Sequence, residues 1–134
     1  MKSMMLEYSN PQSNTELAYD LRQIYAKIVG EHLIDIAKFR KSNDYPLWYK
    51  SLEDLYTIIR HRFKNKKKDE GDYGNHKIAI ANLSNKYVSA WSGKSSSPKE
   101  KGEVESLLRE LEEFLYAKMS EAKMFGESGR IAGL

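Results

Sequence analysis

The sequence predicts an all-α fold, a small helical bundle of four helices in up-down arrangement. Apolar residues recur at three- and four-residue spacings through most of the chain, the period of an amphipathic helix. The alternation of a half-buried strand is absent. Serine, aspartate and proline stand where helix starts need them. A chain of 134 residues suits one domain, 1–134. Its core is expected at about 15–125, between flexible ends at 1–13 and 126–134.

The first helix is expected over 15–41, capped by Asn14 or Thr15. Leu17, Leu21, Ile24, Tyr25, Ile28, Val29, His32, Ile36 and Phe39 share its broad apolar face. Gln23, Lys27 and Lys38 lie opposite, joined by Tyr19 and Ile34. Gly30 inside this run costs roughly 1 kcal/mol relative to alanine and marks a bend or a close helix contact. The second helix, 46–64, starts at Pro46, with Asp44 or Tyr45 at the cap. It places Trp48, Leu52, Leu55, Tyr56, Ile59 and Phe63 on one side. It is expected to dissolve in the charged stretch from Lys64 to Asp72, punctuated by Gly71 and Gly74.

The third helix, 76–91, rests on Ile80, Leu83, Tyr87 and Trp91. The fourth, 98–124, has a capping box in Ser97, Pro98 and Glu100. Its stripe is Val104, Leu107, Leu108, Leu111, Phe114, Leu115, Met119 and Ala122, with Gly126 as the stop.

Composition narrows the chemistry. The chain has no cysteine, which excludes disulfides, thiol catalysis and thiolate metal sites. No apolar run approaches the roughly 18 residues that span a bilayer, so no membrane partner is expected. Met1 to Leu6 is too short for a secretory h-region. An intracellular, cytoplasmic setting is the default expectation. The net charge of +3 selects no partner by itself.

The densest charge lies in Arg60, Arg62, Lys64, Lys66, Lys67 and Lys68, a run without an acid. Such a patch can neutralise nucleic-acid phosphates. Equally, cations at a helix end satisfy the dipole, and Asp69, Glu70 and Asp72 follow at once. Lys94, Lys99 and Lys101 form a second basic loop at the opposite end of an up-down bundle. The acids Glu103, Glu105, Glu110, Glu112 and Glu113 read as a solvated face, or as a surface for a basic partner. Gly93-Lys94-Ser95 ends like a P-loop, but Val88 stands where that motif needs glycine.

His32, with Asp35 three residues on, is the most prominent titratable pair. It reads as a core histidine or, alternatively, as the centre of an enzyme site. There is no Glu-x-x-His or His-x-x-x-His to extend it into a metal site, and no cofactor or small-molecule substrate is implied. The off-face residues Tyr19, Ile34, Leu47, Tyr49, Ile58 and Tyr116, with Ile78, point to an interface. The leading expectation is therefore a non-enzymatic protein that binds a protein partner or itself through them. Nucleic-acid binding by 60–68 is the alternative.

Overall fold

The structure is a computed structural model describing residues 11–94 and 96–124, with side chains from residue 19 onward. Among the described residues it is all-α. The elements are α1 (Pro11–Lys41), α2 (Tyr45–Ile59), a 3-10 turn (Arg60–Arg62), α3 (Lys66–Lys86), the single turn α4 (Val88–Trp91) and α5 (Pro98–Glu121). The expected flexible ends fall outside the described residues, except 11–13, which belong to α1.

The helix α5 is central, because its apolar stripe is the most continuous. Leu108, Leu111, Leu115 and Met119 are fully buried on it. It packs against α2, α3 and α4. From α2 come Trp48, Leu52, Leu55 and Ile59, also fully buried. In contrast, α1 lies along α2 and adds Val29 and Ile36 to the same core.

The starts of α2 and α5 follow the sequence closely, whereas α1 begins at Pro11, ahead of the expected cap at Asn14 or Thr15. Asp44 accepts a hydrogen bond from the Leu47 N–H at 3.3 Å, and Ser97 accepts one from Glu100 at 3.4 Å. Both helices carry proline in the first turn. The stops use a device only partly visible in the sequence. Asn43, Gly93 and Lys123 adopt positive φ of 56°, 80° and 56°. At each, two successive N–H groups turn back onto the last carbonyls of the helix. Asp44 bonds Phe39 while Asn43 bonds Arg40, and Met124 bonds Met119 while Lys123 bonds Ser120. This is the Schellman arrangement, and the second one ends α5 at Glu121, before the expected Gly126. Burial of Met124 supplies the apolar contact that accompanies it.

The largest departure is α3. The stretch from Lys64 to Asp72 was expected to be a loop, yet a helix of 21 residues runs from Lys66 through both glycines. Its buried positions are Asp69, Tyr73 and Ile80, four and seven residues apart. The helical face therefore begins with an aspartate and a tyrosine in place of aliphatics. Asp69 meets the Lys118 ammonium of α5 at 3.0 Å. Tyr73 stacks on Tyr56 of α2, with centroids 3.5 Å apart and planes 1° from parallel. These contacts outweigh the poor helix propensity of the segment. The helix then breaks at Tyr87 (φ −120°, ψ 59°), so the expected single helix 76–91 becomes the end of α3 plus α4.

Neither Gly71 nor Gly74 has an atom within 4 Å of where a Cβ would stand. Replacing both by alanine should therefore raise stability by roughly 1–2 kcal/mol, the summed helix-propensity difference. Urea denaturation of the double variant checks this. A lowered midpoint would mean that the glycines are needed where they stand.

Candidate functional site

The geometry of α1 sets it apart. Its 31 residues span about 46 Å, while the 15 of α2 span about 22 Å. The two run antiparallel from the tight turn at 42–44. Tyr25 reaches the far end of α2. Its hydroxyl donates to the Ile58 carbonyl at 3.3 Å, its ring lies edge-on to His61, and Arg62 sits over it at 5.8 Å. About four turns of α1 ahead of Tyr25 therefore run past the end of α2.

This overhang corrects the expected apolar face of the first helix. Val29 and Ile36 are buried, but Leu21, Ile24 and Ile28 are 57%, 55% and 39% exposed. Leu21 and Ile24 have the spacing of a core face but lie ahead of Tyr25, past the end of α2, and Ile28 lies on the uncovered flank of the stretch that α2 supports. On the other flank, Tyr19 is 52% and Ile34 67% exposed. Between Ile24 and Ile34 lies an open depression of about 570 Å³, bordered by Gln23, Ala26, Lys27, Gly30 and Glu31. Gly30 sits in an uninterrupted helix, and a Cβ there would meet nothing within 4 Å.

The other expected interface residues divide. Leu47 is exposed beside Pro46. Tyr49, Ile58 and Tyr116 instead pack against the core. The Tyr49 ring meets Trp91 edge-on at 5.8 Å, and the Arg40 guanidinium lies beside the Tyr116 hydroxyl. Ile78 and Val88 are also exposed, on α3 and α4.

The solvated reading of Glu112 is overturned. Its carboxylate is buried and accepts from the Trp48 indole N–H at 2.9 Å. Its other oxygen pairs with the Arg40 guanidinium. One side chain thus joins α1, α2 and α5. No sequence pattern separates Glu112 from Glu110 or Glu113. The one available signal is its phase, next to Leu111 and four residues after Leu108.

The basic segment is spread over three settings. Arg60 pairs with Glu70 at 2.8 Å, Arg62 lies on Tyr25, and Lys68 pairs with Asp72 at 2.9 Å. Lys64, Lys66 and Lys67 are exposed, the last two in the first turn of α3. Lys94 follows Trp91, Ser92 and Gly93, which border the 42–46 turn. His32 is half-buried and Asp35 exposed. Among the described residues neither side chain makes a hydrogen bond, and no cluster of His, Asp and Glu is arranged to hold a metal. No helix among them is long and apolar enough to cross a membrane.

Comparison with protein-family models, with curated proteins and with solved structures yields no match in any of the three.

Two predictions follow from the buried polar groups. Glu112→Ala leaves Arg40 and the Trp48 N–H unpaired and should cost roughly 3 kcal/mol. Glu113→Ala, on the exposed side, should stay within about 0.5 kcal/mol of wild type. Equal losses in denaturant titrations would contradict the placement of Glu112. The tyrosines predict alkaline lability. Burial, with Glu53 beside it, pushes Tyr49 up to about 12. Burial, with Glu112 beside it, pushes Tyr116 up to about 12. Burial also raises Tyr73. In the unfolded chain they lose protons near the ordinary value of 10.0. Stability is therefore full below about pH 10 and falls as pH rises toward about 12, because the folded state holds the protons longer. Phenolate absorbance should lag behind that of free tyrosine until the chain unfolds. Simple titration of every tyrosine near pH 10 with the fold intact would contradict this.

Proposed function

We propose that this chain is a non-enzymatic interaction protein that presents the uncovered side of α1 to another protein chain. The observation that carries the reading is the exposure of Leu21, Ile24, Ile28 and Ile34 on a helix that outruns its support. Fully burying such a side chain is worth about 1.5–3 kcal/mol. With roughly half of each still uncovered, a partner stands to gain on the order of 4 kcal/mol there. An apolar surface gathered on one helix is uncommon for a chain that acts alone. The charged groups drawn inside, Glu112 with Arg40 and Asp69 with Lys118, are engaged in pairs that tie helices together. That leaves them no free role in acid–base chemistry.

The reading predicts a separation of stability from association. Leu21→Ser with Ile24→Ser should change unfolding free energy by no more than about 0.5 kcal/mol. The same variant should lose the chains that wild type retains in a cross-linking pull-down. A loss of several kcal/mol would place these side chains inside the protein's own fold, and unchanged capture would move the interface elsewhere.

Nucleic-acid binding is a second reading, favoured by one observation. Lys66 and Lys67 occupy the first turn of α3, where the helix dipole disfavours cations, and neither has an acidic partner among the described residues. The positions cost the fold something and offer phosphate-binding charge beside free N–H groups. Lys66→Glu with Lys67→Glu should stabilise the helix by roughly 0.3–1 kcal/mol per site and, on this reading, abolish salt-sensitive binding of labelled RNA or DNA. Binding that survives the change would remove the segment from consideration.

A further inference from the structure

We infer that the occupant of the α1 surface is a second copy of this chain, joined through an antiparallel pairing of the two α1 helices about a two-fold axis between Arg22 and Gln23. This rests on the reading of α1 as an interaction surface and names its partner.

Leu21, Ile24 and Ile28 follow the three-then-four spacing of a two-helix seam, and the sequence extends it back to Leu17. The flanking positions on one side are Asp20 and Lys27, seven residues apart, and on the other Ala18 and Tyr25. Both Asp20 and Lys27 are exposed, and neither has an ion-pair partner among the described residues. In an antiparallel pair, Leu21 of each copy faces Ile24 of the other. The same alignment sets Asp20 of each copy beside Lys27 of the other, giving two opposite-charge pairs by symmetry. In a parallel pair, Asp20 would face Tyr25 and Lys27 would face His32, and no charge pair forms. The charges therefore select the antiparallel arrangement. The fold permits it, because the helix runs past α2 on this side. The bodies, which begin at Tyr25, then sit at opposite ends of the pairing.

An isologous contact of this kind is closed and gives a dimer with no further growth. Symmetry also settles which residues cross-link, and the native chain has no cysteine to interfere.

The test has two parts on the full chain. Sedimentation equilibrium should show a concentration-dependent dimer. Asp20→Lys alone or Lys27→Asp alone should weaken it roughly ten-fold, by turning both attractive pairs repulsive. The double exchange should restore it. In the second part, Leu21→Cys and Ile24→Cys chains are prepared separately, then mixed and oxidised. The account expects the mixed 21–24 disulfide to dominate over either homodimer. Dominant 24–24 homodimer would mean a parallel pairing and overturn the inference. A chain that stays monomeric at all concentrations would also overturn it. If that monomer still captures another protein through Leu21 and Ile24, the interaction reading of α1 survives. If it captures none, both fail.

Discussion

Three helices of this protein meet at one carboxylate. Glu112 stands in the central helix α5, and its two oxygens take the Trp48 indole and the Arg40 guanidinium. The bond to Trp48, itself fully buried, fixes α2 on α5. The bond to Arg40 holds the C-terminal end of α1 down on the same place. A buried carboxylate without both partners is costly, so the three helices are constrained to arrive together. The constraint acts at one end of α1 alone. From Arg40 the helix runs back along α2, keeps contact to Tyr25, and then continues past the end of α2. The anchored end of the helix follows from where the charge pair lies, and the overhanging end from its length, 31 residues against the 15 of α2.

A second pair plays the same part for α3. Asp69 is buried at the start of that helix and meets Lys118 of α5. Burial opposes the charge on Lys118, but its bonds to Asp69 and Glu121 outweigh this and raise its pKa. Together with the Tyr56–Tyr73 stack, this fixes a segment whose composition argues against a helix. The molecule therefore uses polar and aromatic contacts where a richer sequence would use leucine, and keeps its aliphatic residues for α2, α5 and the outer side of α1.

That division explains how much was legible in the sequence. The starts of α2 and α5 could be read to within a residue, because leucine periodicity and capping residues agree, whereas their ends fall at Ile59 and Glu121, short of the expected 64 and 124. The existence of α1 and its end could be read too. Its exposed side could not, because periodicity reports phase and not whether a partner helix is long enough to cover it. Leu21 and Ile36 carry the same signal and have opposite fates. The helix α3 was half missed, because Asp69 and Tyr73 do not register as core positions and two glycines read as punctuation. Of the interface residues expected from off-face position, Tyr19, Ile34 and Leu47 are exposed, while Tyr49, Ile58 and Tyr116 pack onto the core. Tyrosine is long enough to reach inward from the rim, and its hydroxyl finds a polar partner there.

The central claim is that the side of α1 around Leu21, Ile24 and Ile28 is uncovered in the single chain and closed by another. Amide hydrogen exchange across α1, measured at low and high protein concentration, tests it most directly. The account predicts strong protection at residues 33–41 at both concentrations. It predicts weak protection at residues 19–24 in dilute solution that rises as the chain is concentrated. Strong protection of residues 19–24 even in the dilute chain would contradict it, because those turns would then be covered from within.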